Sequence, residues 1–210
     1  WTFERRINMF PAKFEADGQM WATSRFQDFP QYLPRKKVDD LDSLFTGWML
    51  LSYRKPMTAS STMGEFTPDR AADEDPRTFW VATSKQPGQT LTMDLGSAMT
   101  VRAVQVNYAD YESDRYADAP DIYTEFTLEH SLDGRTWHKL AKTGPERRDR
   151  PNAYIELPEP VKTRYIRYVH GHIGGANLAI NDLRVFGNAD GRPPATPARV
   201  TGERDEGEGD

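Results

Sequence analysis

Pro68–Gly96 reads PDRAADEDPRTFWVATSKQPGQTLTMDLG, and its two halves give the backbone different instructions. The first half is a turn crowded with carboxylates, Asp69, Asp73, Glu74 and Asp75, closed by Pro76 and followed by Thr78-Phe79-Trp80. The second starts at another turn, Gln86-Pro87-Gly88-Gln89, and continues as Thr90-Leu91-Thr92-Met93-Asp94-Leu95 up to Gly96. That alternation predicts a strand with Leu91, Met93 and Leu95 on one face and Thr92 and Asp94 on the other. Asp73, Asp75 and Thr78 can turn their oxygens toward one point if the backbone curls between Glu74 and Pro76. Such a loop suits Ca2+, which takes about six to eight oxygen ligands. The competing reading is a solvated turn whose Asp side chains bond their own backbone. The spacing is not that of an EF-hand.

Downstream the period of two persists. Thr100 to Tyr108 predicts a strand with Val104, Val106 and Tyr108 sharing a face, and Ile122 to His130 another with Ile122, Phe126, Leu128 and His130 together. Asp133-Gly134 turns that strand back toward Trp137, His138 and Leu140. Ala153 to Leu157, Thr163 to His170 and Leu183 to Gly187 are further strands. Between them lie a polar loop, Ala109 to Asp121, a charged loop, Gly144 to Asn152, and a Gly-rich loop, Gly171 to Asn177. Arg147, Arg148 and Arg150 are interrupted by Glu146 and Asp149, so the charged loop reads as a solvated turn rather than a phosphate site. Short strands, Asp-Gly turns and almost no helical periodicity predict an all-β jelly-roll β-sandwich.

Composition narrows the function classes. In 210 residues, 37% hydrophobic with 11% aromatic, there is enough apolar surface for a packed core. A net charge of -5 and the scattered basic residues speak against a nucleic-acid partner. A mean hydropathy of -0.76 and the lack of any apolar run near the roughly 20 residues a bilayer needs speak against a membrane span. No loop pairs exposed apolar residues with basic neighbours as a membrane-surface binder does. With no Cys, disulfides and thiolate chemistry are both out of reach. The chain begins at Trp1 without a signal peptide and reads as a piece of a longer protein.

Two strings carry a family resemblance. Ala71-Ala72-Asp73-Glu74-Asp75-Pro76-Arg77-Thr78-Phe79-Trp80 followed by Met93-Asp94-Leu95-Gly96 resembles the opening of the discoidin-like, coagulation factor 5/8 type C group, with Glu74 where that group usually has Gly. Glu129-His130-Ser131-Leu132-Asp133-Gly134-Arg135-Thr136-Trp137 resembles its second motif, and Thr163-Arg164-Tyr165-Ile166-Arg167-Tyr168 one of its strands. The resemblance spans 57–187 and implies a galactose-binding-like sandwich, often a carbohydrate-binding module, extracellular or periplasmic. It also implies a structural Ca2+ held by Asp73, Asp75 and Thr78 and completed from the last strand by Asp182. In such modules sugar sites lie in loops at one end of the sandwich, where aromatic faces stack on sugar C–H surfaces and polar side chains bond hydroxyls. Tyr111, Tyr116, His170, His172 and Asn177 are the candidates here. A module that binds no sugar and serves as a spacer or buttress is the alternative.

The remaining segments flank that module. Phe3 to Pro11, Asp17 to Met20 and Asp28 to Pro34 resemble the closing blade of the five-bladed propeller of family 43 glycoside hydrolases. Residues 1–56 are therefore expected to be the end of such a catalytic domain, a partial propeller blade that stands in the same chain as the module. Thr46 to Pro56 either closes that propeller or opens the next domain. An inverting pair of carboxylates must stand roughly 6.5–9.5 Å apart, which takes several blades. Glu4, Glu15, Asp17 and Asp28 read as surface charges, and the chain alone is expected to be inactive. Residues 188–210 shift to Gly, Pro and acids and read as a linker.

Overall fold

The alternating stretch at Thr90 opens the longest ladder of the protein. The computed structural model describes residues 11–22, 29–112, 121–174 and 177–188. In it strand β6 (Thr90–Tyr108) lies antiparallel to β9 (Asn152–Ile173) over almost its whole length. The sequence suggests two strands on each side of this pair, split at Gly96 and at Pro158-Glu159-Pro160. Each is instead one continuous strand with a bend. The ladder loses register between Asp94 and Met99 and again between Val101 and Ala103, where the chain changes sheet. Gly96 takes a φ of +88° at the first bend, a backbone setting that costs a residue with a Cβ.

The bends sort the other strands into two layers. The first half of β6 and the second half of β9 join β4 (Met57–Ala59), β7 (Thr124–Ser131) and β8 (His138–Lys142). The second half of β6 and the first half of β9 join β10 (Ala179–Asn188), β5 (Trp80–Val81) and β3 (Met49–Leu50). Leu91, Met93, Leu95, Phe126, Leu128 and Ile166 from one layer meet Val104, Val106, Ile180, Leu183 and Val185 from the other in one core. The fold is an all-β jelly-roll sandwich. Trp80 is fully buried in it, and its indole N–H donates to the Ser61 carbonyl at 3.0 Å, so the ring is enclosed without an orphaned donor.

Residues upstream of Pro56 take part in the same packing. Trp48 and Leu50 pack on Phe186 and Ala103. Strand β3 pairs with the end of β10, and the Leu51 N–H donates to the Val185 carbonyl at 2.7 Å. A boundary at Pro56 therefore cuts through a packed sheet; Pro56 looks like a break because it ends the extended run. Asn188 closes the other end, donating to the Gly47 carbonyl and accepting from Arg102. Within 11–22, β1 (Ala12–Phe14) and β2 (Met20–Ala22) form a hairpin around Asp17-Gly18, with Gly18 at φ +81°. Glu4, Asp28 and the segment 189–210 lie outside the described residues.

Gly187 sits where β10 crosses β6 so closely that an added Cβ would stand 2.0 Å from the Thr100 carbonyl oxygen. Backbone cannot step aside as a side chain tip can. Gly187→Ala is expected to destabilise the module by about 1–3 kcal/mol, as overpacking does in well-filled cores, read as a lowered urea midpoint.

Candidate functional site

Strand direction brings several connections to one end of the sandwich. Tyr108 pairs with Ile180, Asn107 with Asn152, Thr124 with Ile173 and Thr90 with Val169. The links 82–89, 109–123, 143–151 and 174–178 therefore share a pole. Tyr116 belongs to the second of these and lies outside the described residues.

Three side chains meet at one side of this pole. Tyr111 packs its ring against Phe66 at 4.9 Å and Phe79 at 5.6 Å, and those two rings are themselves stacked at 5.2 Å. Next to it Glu112 accepts from the Asn177 amide at 2.6 Å. Tyr111 is half-buried, anchored by its neighbours and still partly open to solvent. It contributes to packing as well as to surface, so a Tyr111→Ala variant is expected to lose stability as well.

His172 belongs to a second group at the same end. Its ring stacks on Tyr123 at 3.8 Å and 13°, and its Nε2–H donates to the Asp121 carbonyl at 3.1 Å. The Arg147 guanidinium lies 5.3 Å from the Tyr123 ring centre. Glu112, Tyr123 and Arg147 were not among the expected residues. Tyr123 carried a readable signal, a large aromatic immediately before a strand; Arg147 sits in a loop whose path only the fold defines.

His170 is a correction. It is 2% exposed, because it shares strand parity with Ile166 and Tyr168 and faces the interior. A carbonyl can only accept, so Nε2–H donates to Lys85 O at 3.1 Å and Nδ1 is left as the acceptor for the Tyr168 hydroxyl at 2.9 Å. Tyr168 in turn accepts from the Tyr108 hydroxyl at 2.9 Å, which gives the chain one direction. Burial pushes both phenols up and the imidazole down to about 4. His170 also exchanges backbone hydrogen bonds with Gly88 and Gln89. It fastens the 82–89 link to the sheet and offers nothing to solvent.

The acidic turn curls as its composition requires. Asp73 accepts from the Asp75 N–H at 2.8 Å and from the Thr78 hydroxyl at 2.7 Å, while Asp75 accepts from the Arg77 N–H at 3.0 Å. Glu74 takes φ +62°, in the left-handed region where a non-Gly residue costs about 1–2 kcal/mol. Arg184 offsets this by gripping its carboxylate at 3.0 and 3.1 Å. From the last strand it is Asn181 that reaches the turn, donating to the carbonyls of Thr78 at 2.5 Å and Asp75 at 3.4 Å. The register shift between Ile180 and Asp182 makes Asn181 the extra residue and points it there. Asp182 is buried, with its Oδ2 accepting from Asn107 at 2.9 Å. Among the described residues no three His, Asp or Glu side chains converge as a metal cage. The donors gathered at the turn are the Asp73 carboxylate, the Thr78 hydroxyl and the Asp75 and Thr78 carbonyls. They are hard oxygens of the kind Ca2+ accepts, and an amide donor already sits among them.

The sequence of residues 56–180 matches a family model described as F5/8 type C domain. Among solved structures, the chain is similar to chitosan-binding module 1 derived from a chitosanase/glucanase of Paenibacillus sp. IK-5, at 25% identity and a TM-score of 0.54, covering 66% of this chain and 99% of that one. It is similar to chitosan-binding module 2 of the same enzyme, solved with chitotriose, at 19% identity and 0.54, covering 65% and 99%. The family 32 carbohydrate-binding module of C. perfringens NanJ, solved with galactose, matches at 17% identity and 0.54, covering 66% and 98%. No curated protein matches the chain.

The buried imidazole makes acid stability a test of this geometry. The ordinary His value is about 6.5, and the folded value is about 4. Between them the unfolded chain binds a proton that the folded one refuses. The stability is whole above about pH 6.5 and falls as pH drops through about 4, by about 3 kcal/mol in all. Urea midpoints at about pH 7.5 and pH 4.5 are expected to converge in His170→Gln relative to the native chain, whatever that variant loses at neutral pH. An equal drop in both proteins would count against the buried neutral His170.

Proposed function

The chain belongs to the F5/8 type C domain family, and from that footing we propose that it is a carbohydrate-binding module whose ligand sits at the pole carrying Tyr111, Glu112, Asn177 and His172. The observation that carries the reading is its likeness, at 25% identity, to nearly the whole of a chitosan-binding module. The chemistry of the pole agrees with it. The outer part of the Tyr111 ring offers a face to sugar C–H groups. The Glu112 carboxylate and Asn177 amide offer an acceptor and a donor to hydroxyls. A carboxylate also suits the ammonium of a glucosamine unit, which favours chitosan-type oligosaccharides over neutral plant-type glycans as the first ligands to try.

The parent, in this proposal, is an extracellular or periplasmic polysaccharide-degrading enzyme of arabinosidase/xylosidase type, with a catalytic propeller upstream of the module. The resemblance of residues 1–56 supports it. The second reading, a module that buttresses the upstream domain and binds no sugar, draws on one observation: residues 48–51 are already sewn into its sheet. Calcium belongs to the proposal as well. Asp73, Thr78 and the Asp75 carbonyl would hold it, with the Asn181 amide flipped to present its oxygen; bound there, the ion supplies charge that fixes the turn to the last strand.

Titration calorimetry with chitosan oligosaccharides, galactose and xylo-oligosaccharides separates the readings. Glu112→Gln and Asn177→Ala are expected to weaken binding at least about tenfold, the loss of one charge-assisted hydrogen bond, with the melting temperature little changed. No heat from any sugar would favour the buttress. For calcium, a hundred-fold excess over its dissociation constant adds about 2.7 kcal/mol, a rise of several degrees in melting temperature that Asp73→Asn removes. An unchanged melting temperature on adding chelator would remove the ion from the account.

A further inference from the structure

The chain has four histidines, and the structure leaves two of them unused. His170 and His172 are bonded and stacked at the pole. His130 on β7 and His138 on β8 stand directly opposite each other across the antiparallel ladder, away from that pole and from the acidic turn. Their ring centres are 5.6 Å apart at 38°. Neither imidazole has a hydrogen bond to another described residue, and His130 Nδ1 is buried without any partner. A buried ring nitrogen left without a partner calls for a physical reason. Their neighbours do not supply it. On the far side of His130 the sheet offers Ile166, and the adjacent carboxylate, Glu129, is engaged by Arg167 at 2.7 Å. His138 is exposed, so a solute can approach the pair from outside.

We propose that His130 and His138 form a two-imidazole chelate for a borderline divalent cation, Zn2+ first among Zn2+, Ni2+ and Cu2+. At metal–nitrogen distances of about 2.0–2.1 Å, two imidazoles on one tetrahedral ion place their ring centres about 5 Å apart. The pair stands within a few tenths of an ångström of that, a distance rotamer adjustment covers. Water fills the remaining positions on the exposed side. Imidazole nitrogen selects these ions over Ca2+ and Mg2+, whose ligands are oxygens. The site is therefore chemically separate from the acidic turn. An ion bound there ties the edge strand β8 to β7 and stabilises only the folded chain.

The test uses the tag-free chain near pH 7.5 with Ca2+ present in excess, titrated with ZnCl2 by calorimetry and by NMR of the histidine rings. One Zn2+ per chain is expected, with the His130 and His138 ring signals moving and those of His170 and His172 unmoved. His138→Gln, an exposed change that leaves the core alone, is expected to weaken Zn2+ binding at least about tenfold and to abolish the zinc-dependent rise in melting temperature. His130→Gln should do the same, and His172→Gln should leave the titration as it was. Undiminished affinity in His138→Gln, signals that follow His172 instead, or no binding at millimolar zinc would each overturn the proposal.

Discussion

Strands β6 and β9 pair with each other along almost their whole length. Both strands run through the two layers, and their hydrogen bonds survive the crossing at the cost of two register shifts. Because the same two strands belong to both sheets, the sheets cannot separate without breaking that ladder, and their inner faces meet at fixed positions. Leu91 and Met93 are thereby placed in the same core as Val104 and Val106, which lie a few residues further along the same strand. The bend needs Gly96 on one strand and tolerates the prolines near Glu159 on the other, where the ladder has already opened. The crowding at Gly187 is a consequence: β10 is drawn tightly against the second half of β6.

The same ladder decides what the pole can present. Its ends set the roots of the 109–123 and 174–178 links, and pairing of Tyr108 with Ile180 and of Thr124 with Ile173 holds those roots in register. Beneath them the Tyr108, Tyr168 and His170 hydrogen bonds run from the root of one link to the Lys85 carbonyl of another. A rigid, fully bonded floor beneath loops of polar and aromatic residues is a physically sensible base for a ligand that offers little apolar surface. Preorganised side chains lose less entropy on binding.

Local patterning made the layers legible. The inner faces Leu91/Met93/Leu95 and Val104/Val106, the Asp-Gly turns and the curl of Asp73 to Thr78 follow from residue parity and turn chemistry, which act over a few residues. What escaped depends on partners far along the chain. Gly96 and Pro158 look like strand ends because bulged continuity leaves no mark in a single strand. Thr46 to Pro56 looks separable because its partners, Val185 to Gly187, lie well over a hundred residues away. His170 reads as the open end of a strand because that strand runs on to Ile173, further than the sequence suggests; parity counted from Ile166 places it inside. The choice of Asn181 over Asp182 at the acidic turn comes from a one-residue bulge, and the Glu74–Arg184 pair from a contact between distant elements.

A carbohydrate held at the pole defined by these roots, as proposed, must touch residues of several links at once. Amide chemical-shift mapping with a chitosan oligosaccharide tests this most directly, since it locates the contact without altering a residue. The expected shifts concentrate at residues 109–112, 121–123, 172–174 and 177–178 and saturate together. Saturable shifts confined to the opposite end, around Gly96 and the Ser131–Trp137 turn, would contradict this placement.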